Sequence, residues 1–186
     1  MNKRKIVAIV GLPGCGKTEA INYLIEKLGW PKIYLGDATF EEMQRRALPI
    51  NEKNERLVRE ELREKNGPAC YALWGIEKIK ELDKTANILV ESLYSWGEYL
   101  EFKKIFGEDF LTIAIYSSPC DRYARLAKRP VRPLTPEEAQ SRDYSQIASL
   151  VAQAGPIAMA DWTITNNTSR ENLFLQLDKI IEVLKK

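Results

Sequence analysis

A loop near the start of the sequence carries the residue types that bind the phosphates of a nucleoside triphosphate. Residues 11–18 read GLPGCGKT, which follows the pattern G-x-x-x-x-G-K-[ST]. In this pattern backbone N–H groups curl around the phosphates, the lysine reaches the β- and γ-phosphates, and the next hydroxyl can ligate Mg²⁺. We therefore expect a nucleoside triphosphate and Mg²⁺ as cofactors, a catalytic Lys17 and a metal-ligating Thr18. The residues expected to contact the triphosphate are Gly11, Pro13, Gly14, Cys15, Gly16, Lys17 and Thr18.

A group of arginines follows in the last third of the sequence. Arg122, Arg125 and Arg129 are spaced i, i+3, i+7, which places them on one face of a helix. Arg132 comes next in a proline-rich stretch, and Arg142 lies in a further predicted helix. Arginines supplied by a mobile lid stabilise the charge of a phosphoryl group in transfer. All of these arginines are therefore candidate catalytic residues, and the alternative interpretation is a solvated basic face.

Two carboxylates follow predicted strands, where ligands bind in parallel sheets. Glu91 ends an apolar run, at the position where phosphate-loop proteins carry the acid that orients Mg²⁺ through water. Asp37 ends the preceding strand and is a candidate base for an attacking hydroxyl. It is also a candidate helix cap, because Gly-Asp before a helix is a common cap signal. We expect both carboxylates to contact the substrate.

Apolar patterns predict strands that alternate with helices along the chain. Short β-branched runs are typical of buried parallel strands, and they occur at 5–10, 32–35, 86–90, 110–116 and 163–165. Amphipathic spacing predicts a helix after the phosphate loop, ending at Gly29, and composition predicts helices in 40–66, 71–82 and 96–106. Cap signals are found at Asn51, Ser118-Pro119, Thr135-x-x-Glu138 and Ser169. This alternation predicts an α/β fold with helices on both faces of a five-stranded parallel sheet.

Composition limits the classes of function. The chain has 186 residues, enough for one domain, and its net charge of +2 argues against broad nucleic-acid binding. The three cysteines are far apart, which indicates a reducing cytoplasm, and no apolar run is long enough to span a membrane. The chain has no histidine, so mechanisms that need a histidine base or ligand are excluded. We expect a small-molecule partner, and the sequence does not indicate an oligomeric state.

The motifs together resemble the adenylate-kinase-like branch of P-loop kinases. Within that branch the chain is most similar to small proteins described as dephospho-coenzyme A kinase-like or nucleotide-kinase-like. The resemblance rests on segments 11–18, 36–37, 62–67, 117–119, 122–126, 142–143 and 160–167. It implies a single three-layer P-loop NTPase domain over 1–186. The implied parts are a core of 1–37, 83–121 and 155–186, a helical acceptor-binding insert at about 38–82 and a short lid at about 122–135.

The acceptor side departs from the pattern of this branch. Related kinases often carry arginines that grip the acceptor's phosphate shortly after the acids that match Asp37 and Glu91. Here Phe40 and Tyr94 stand near those positions. Arginines of the insert, Arg59 and Arg63 among them, are candidate replacements, and the alternative is that the aromatic rings stack on a base or an apolar group.

The resemblance implies an ATP-dependent phosphotransferase. Its acceptor would be a small molecule such as a nucleotide, a nucleoside or a dephospho-coenzyme A-like compound. The alternative is a nucleotide-binding regulatory module with weak ATPase activity and no kinase activity. A GTPase is not indicated, because the sequence has neither Asn-Lys-x-Asp nor Asp-x-x-Gly after the third predicted strand.

Overall fold

A parallel sheet of five strands forms the centre of the fold in the computed structural model, which describes residues 4–82, 85–130, 132–148 and 153–185. The strands are β1 (Ile6–Val10), β2 (Lys32–Tyr34), β3 (Ile88–Glu91), β4 (Phe110–Tyr116) and β5 (Trp162–Thr165). Their order is β2-β3-β1-β4-β5, and every neighbouring pair is parallel. The predicted sheet is confirmed. All the carboxyl ends therefore open on one edge, where the phosphate loop leaves β1.

Helices connect the strands and cover both faces of the sheet. In the ranges that the structure describes, no helix is long and apolar enough to cross a bilayer. A 3₁₀ turn at Gly107–Asp109 precedes β4. The α-helices are α1 (Lys17–Leu28), α2 (Asp37–Arg45), α3 (Glu52–Asn66), α4 (Cys70–Glu81), α5 (Trp96–Phe106), α6 (Pro119–Ala127), α7 (Pro136–Ala148), α8 (Ala154–Ala158) and α9 (Arg170–Leu184).

The central strand β1 contributes side chains to a core on each face of the sheet, because successive side chains of a strand point in opposite directions. Ile6, Ala8 and Val10 pack with apolar residues of α4 and α5. Val7 and Ile9 pack with those of α1 and α9. All of these β1 side chains are at most 1% exposed. The predicted three-layer arrangement is confirmed, and the central strand is held from both sides.

The segment predicted as mostly helical, 40–66, contains two helices separated by a break. Helix α2 begins earlier than predicted, at Asp37, and ends at Arg45. Pro49 disfavours helical geometry in the residue before it, which accounts for the break. Asn51 is the predicted cap of α3, and its side-chain oxygen accepts the backbone N–H of Asn54 at 2.9 Å. The cap at Asn51 is confirmed.

The predicted lid, 122–135, is divided between a helix and a loop. Helix α6 ends at Ala127, so Arg122 and Arg125 lie on it and Arg129 lies beyond its end. The expectation that the three arginines share one helical face is therefore wrong for Arg129. Residues 83, 84 and 131, which belong to the predicted core and lid, lie outside the described residues.

The predicted cap signals of the later helices are confirmed. The side chains of Ser118 and Ser169 accept backbone N–H groups at the starts of α6 and α9. Thr135 and Glu138 form the reciprocal pair of a capping box, at 2.8 and 3.2 Å. The short helix α8 was not predicted, since its five residues are too few to show a helical period.

Candidate active site

The phosphate loop needs glycine at positions where its backbone packs tightly against other segments. Gly16 is the N-cap of α1 with a φ of 103°, and a Cβ there would lie 2.4 Å from Asn166 Nδ2. A Cβ at Gly11, where φ is 145°, would lie 2.5 Å from the carbonyl oxygen of Ile115. Side chains do not fit at such distances. The loop leads directly into the N-terminus of a 12-residue helix, and that setting fits a polyphosphate.

Lys17 is the first residue of α1, and its side chain turns back over the loop. Its Nζ donates to the carbonyl oxygens of Gly11 and Leu12, the second at 3.2 Å. Cys15 lies inside the loop with its side chain 1% exposed, and its N–H donates to the Leu12 carbonyl at 3.2 Å. The ammonium group is therefore held where the loop curves. Its contact with the β- and γ-phosphates stays a prediction of the motif.

The loop is fastened to the ends of β4 and β5 by a buried polar network. Asn166 Nδ2 donates to the Cys15 carbonyl at 2.8 Å, and the backbone carbonyl of Asn166 accepts from Ser117 Oγ at 2.6 Å. Arg125 donates to the same Asn166 carbonyl at 2.6 Å and to Ser117 Oγ at 3.0 Å. Two of the N–H donors of Arg125 are thus used in this network, which holds the phosphate loop in place.

Arg122 is buried and ion-paired, which differs from its predicted place in an open lid. Its guanidinium makes two hydrogen bonds to the Asp143 carboxylate, at 2.9 and 2.6 Å, and both side chains are at most 5% exposed. It also donates to the carbonyl oxygens of Ser117 at 3.1 Å and Pro13 at 3.2 Å. Arg122 joins α6, α7 and the phosphate loop, and its contacts are those of a supporting residue rather than of a residue facing a substrate.

One cavity of 800 Å³ brings together most of the predicted site. The phosphate loop forms its floor, the ends of β2 and β3 form one side, and residues around the 128–135 loop and α7 form the other. None of the described residues of the insert, 38–82, lines it. Its lining residues are Pro13, Gly14, Gly16, Lys17, Thr18, Glu19, Lys32, Tyr34, Glu91, Ser92, Tyr94, Arg125, Arg129, Pro130, Arg142 and Gln146.

Two arginines in the cavity wall have guanidinium groups that no other described residue contacts. Arg129 and Arg142 are both exposed and both line the cavity. Neither side chain has an ion pair or a hydrogen bond with another of the described residues. Among the predicted catalytic arginines, these two line the cavity that Lys17 also lines, and they have no partner among the described residues.

Arg132 and Arg59 are engaged with acidic residues of α3. Arg132 contacts Glu52 at 3.3 Å and Glu55 at 3.6 Å, and its φ of 53° is unusual for a residue other than glycine. Arg59 contacts the same carboxylates at 3.1 and 3.4 Å. The structure therefore places these two predicted site residues outside the cavity, in a contact between the 128–135 loop and the insert.

Arg63, Asp37 and Phe40 also lie outside this cavity. The Arg63 guanidinium stacks on the ring of Tyr71 at 4.9 Å, and its Nε is buried without a hydrogen-bond partner. Asp37 and Phe40 line a separate cavity of 440 Å³ between α2 and the segment 48–50. Burial raises the pKa of Asp37, nearby Lys32 opposes that shift, and Asp37 is in the first turn of α2 without a side-chain cap bond.

The ends of β2 and β3 present a compact polar group to the cavity. Glu91 pairs with Lys32 at 2.6 Å, across neighbouring strands. Ser92 Oγ donates to the Tyr94 hydroxyl at 3.2 Å, and Tyr34 lines the same wall. Ser92 has a φ of 69°, a left-handed conformation that costs about 1–3 kcal/mol in a residue other than glycine. Backbone strain of this kind is concentrated at functional sites.

A buried carboxyl group holds the segment that carries Tyr94. Glu98 is 1% exposed and accepts the backbone N–H groups of Tyr94 at 2.6 Å and Ser95 at 3.0 Å. Burial raises the pKa of Glu98 from 4.5 to about 7, although these N–H groups and the charge of Arg63 favour the ionised form. Glu98 therefore gains a proton within the physiological pH range.

We expect the free energy of unfolding to fall as the pH rises from about 4.5 to about 7, through Glu98. The folded protein binds this proton more tightly than the unfolded chain, so the contribution is complete below the unfolded pKa. It is lost as the pH passes the folded pKa, and amounts to about 3 kcal/mol. Urea titrations at several pH values in this range should show that the free energy of unfolding changes less with pH in Glu98→Gln than in the wild type.

Glu101→Gln serves as the control for this experiment. Glu101 lies on the same helix and pairs at the surface with Lys104 at 3.4 Å. Its substitution should leave the pH dependence of the free energy of unfolding unchanged, because exposed ion pairs contribute little to stability. Parallel curves for the wild type and Glu98→Gln would show that Glu98 titrates at its ordinary pKa.

The sheet and the phosphate loop define a P-loop NTPase fold. The protein family described as "AAA domain" matches residues 7–145. The UPF0200 protein of Thermococcus kodakarensis is 32% identical over 181 residues, which are 95% of this chain and 96% of that protein. The chain belongs to the UPF0200 family and carries the AAA domain.

Solved structures share this fold at low sequence identity. TT1252 from Thermus thermophilus has a TM-score of 0.64 and 18% identity, and the match covers 98% of this chain and 99% of that one. A shikimate kinase from Bacteroides thetaiotaomicron has a TM-score of 0.58 and 15% identity, covering 96% and 98%. At these identities the likeness is one of fold.

Sequence reasoning did not select several residues of the cavity wall. Lys32, Tyr34 and Ser92 lie in or beside the predicted strands, and the rule that chose Glu91 applies to Tyr34 and Ser92 as well. Gln146 lies four residues after Arg142 on α7, the spacing that places two side chains on one helical face. Such signals are visible in the sequence, but they are common in chains of every function.

Proposed function

We propose that this protein is an ATP-dependent phosphotransferase that moves the γ-phosphoryl group to a small acceptor. The observation that carries the proposal is the arrangement of one cavity. The phosphate loop and Lys17 form its floor. The guanidinium groups of Arg129 and Arg142, which have no partner within the part of the chain that the structure describes, lie in its wall. A phosphoryl group in transfer carries charge on its equatorial oxygens, and such donors stabilise that charge.

The chain's residues divide into those that hold the donor and those that face the group in transfer. Loop N–H groups and Lys17 would hold the triphosphate, while Thr18 and, through water, Glu91 would hold Mg²⁺. When bound, Mg²⁺ neutralises charge on the phosphates. In the described ranges no group of three or more acidic, cysteine or histidine side chains could hold a metal. This accords with a metal that takes most of its ligands from phosphate and water.

The 128–135 loop and α7 would act as the lid. They carry Arg129 and Arg142, and closure over the phosphate loop would exclude water and limit hydrolysis of ATP. Arg122 would act through its support of the loop, and Arg125 through both support and contact. Arg132 would fasten the lid to α3 through Glu52 and Glu55.

The chain's resemblance to adenylate-kinase-like enzymes, including dephospho-coenzyme A kinase-like proteins, supports phosphotransfer to a small molecule. The fold shared with a shikimate kinase supports the same reaction class. In this proposal the acceptor would enter at the ends of β2 and β3, where Tyr34, Ser92, Glu91 and Tyr94 line the cavity. The protein would bind a small molecule rather than nucleic acid or a membrane. It would act in the cytoplasm.

A nucleotide-binding regulatory module is the second candidate. It is favoured by the position of Asp37, which lines a cavity other than that of the phosphate loop, and by the ion pairs that occupy Arg59 and Arg132. A module of this kind would bind ATP and hydrolyse it slowly, whatever small molecule was added.

Acceptor-dependent release of ADP distinguishes the two functions. We expect Arg129→Ala and Arg142→Ala each to lower kcat about a hundredfold or more, because each removes a donor to the charge that develops in transfer. Nucleotide affinity, measured by calorimetry with ADP, should change far less. Arg56→Ala is the matched control, since Arg56 is an exposed residue of α3 that pairs with Glu60 and does not line the cavity. ADP release that is indifferent to every acceptor would support the regulatory module.

A further inference from the structure

We propose that the acceptor is an uncharged, hydroxyl-bearing molecule, held by the hydroxyl groups of Tyr34, Ser92 and Tyr94, and that phosphomonoesters are rejected there. This inference rests on the proposed phosphotransfer and specifies its substrate class. It follows from two features of the cavity wall formed by β2 and β3: hydroxyl groups line it, and its lysine, Lys32, is already paired with Glu91.

The three side chains form one cluster beside the phosphate loop. Ser92 Oγ donates to the Tyr94 hydroxyl at 3.2 Å. Tyr34 lines the same wall, and the pKa of its hydroxyl is raised by burial and by Tyr94. The Tyr34 ring is fixed against the chain turn at Gly36, where an added Cβ would lie 2.4 Å from Cζ. Hydroxyl groups both donate and accept, so the cluster can match the hydroxyls of a ligand, and the half-buried rings can pack on its apolar surface.

Positive charge on this side of the cavity is already neutralised. Lys32 is the lysine of the wall, and it pairs with Glu91 at 2.6 Å. A phosphate dianion at the carboxyl ends of β2 and β3 would therefore meet a paired lysine, a carboxylate and neutral hydroxyl groups. Taking a dianion out of water without a free cation is costly, whereas an alcohol exchanges water for hydroxyl partners at little cost.

The arginines of the insert do not supply the missing charge. Arg45 and Arg46 pair with Glu42, and Arg46 also pairs with Glu61. Arg59 is paired within α3, and Arg63 stacks on Tyr71. The free arginines of the cavity, Arg129 and Arg142, stand in the opposite wall, where the proposed function uses them for the group in transfer.

The reaction is balanced with an alcohol as acceptor. The acceptor's hydroxyl oxygen forms a bond to the γ-phosphorus of ATP, and the bond from that phosphorus to the bridging oxygen breaks. The products are ADP and a phosphate monoester, and the hydroxyl proton is released to solvent. The monoester is itself a poor ligand for the hydroxyl cluster, which favours its release.

The test compares acceptors that differ only in a phosphate. Nucleosides and their 5′-monophosphates, and inositol and inositol 1-phosphate, are supplied with ATP and Mg²⁺, and ADP release is measured. We expect kcat/KM for a neutral member to exceed that of its phosphorylated partner at least about a hundredfold, the difference expected when a charge is buried unpaired. A preference for the phosphorylated members would overturn the inference while leaving phosphotransfer in place.

A binding measurement separates the inference from the proposed function. NMR spectra of protein with ¹³C-labelled tyrosine, assigned with Tyr34→Phe and Tyr94→Phe, are recorded during titration with the same probes. If neutral probes shift the NMR signals of Tyr34 and Tyr94 but cause no ADP release, the binding site for neutral molecules is supported and the proposed kinase activity is refuted. If no neutral probe moves these signals, or if only phosphorylated probes do, the inference is wrong.

Variants provide the second readout. We expect Tyr34→Phe and Tyr94→Phe each to raise KM for the neutral acceptor about tenfold, the effect of one lost hydrogen bond. Tyr144→Phe is the control, because Tyr144 is 64% exposed on α7 and does not line the cavity. Equal KM values in all three variants and the wild type would contradict a role for the hydroxyl cluster.

Discussion

Lys17→Ala is expected to lower the rate of phosphotransfer about a thousandfold, with little change in the fold. Among the described residues, Lys17 Nζ contacts the loop carbonyls of Gly11 and Leu12 and the sulfur of Cys15, so its loss removes no contact with the core. Its charge lies in the floor of the cavity, where the β- and γ-phosphates would bind. Removing one such donor costs about 10²–10³ in kcat, and the loss of a full charge places the effect at the upper end. ADP release and the circular dichroism spectrum measure the two effects.

Lys53→Ala is the matched control for this substitution. Lys53 lies in the first turn of α3, is exposed and does not line the cavity, so its removal should leave the rate unchanged. Near-normal turnover by Lys17→Ala would refute both the role of the lysine and the place assigned to the phosphates. Loss of the native spectrum would instead show that the lysine is structural.

Asp143→Ala is expected to lower the free energy of unfolding by about 3–5 kcal/mol, because it leaves the buried Arg122 charge without its partner. The change should also weaken nucleotide binding, since Arg122 donates to the Pro13 carbonyl in the phosphate loop. Urea denaturation gives the first quantity, and calorimetry with ADP gives the second.

A double variant and an exposed pair sharpen this test. Arg122→Met combined with Asp143→Leu removes both charges and should recover most of the stability lost in Asp143→Ala. Glu60→Ala breaks the exposed pair with Arg56 and should change stability by less than about 1 kcal/mol. If Asp143→Ala is as mild as Glu60→Ala, the pair between Arg122 and Asp143 is not a significant support of the fold.

The fold could be predicted from local patterns in the sequence. The run at 5–10 is apolar because β1 is buried on both faces, and the glycine-rich loop after it is specified by its own residues. Caps such as Asn51 and Ser118 act on the adjacent turn, so the information that they carry is local. The effect of Pro49 is also local, because a proline disfavours helical geometry in the residue before it, and it explains the break between α2 and α3.

The partners of charged side chains could not be predicted in the same way. Arg122 and Arg129 look alike in the sequence, yet one is buried against Asp143 and the other faces the cavity. The difference depends on how α6 packs on α7. Arg132 likewise meets Glu52 through a contact between distant segments. A pattern of arginines shows that positive charge is present, whereas its use is decided by tertiary packing.

The side-chain amide of Asn166 makes the shape of the phosphate loop depend on a segment that is distant in sequence. It donates to the Cys15 carbonyl across 151 residues of chain, and the backbone carbonyl of Asn166 accepts from Arg125. We expect a fragment that contains the whole motif but ends before β5 not to bind nucleotide, because it lacks this group. The motif is short in sequence, whereas the shape of the binding site depends on contacts between distant segments.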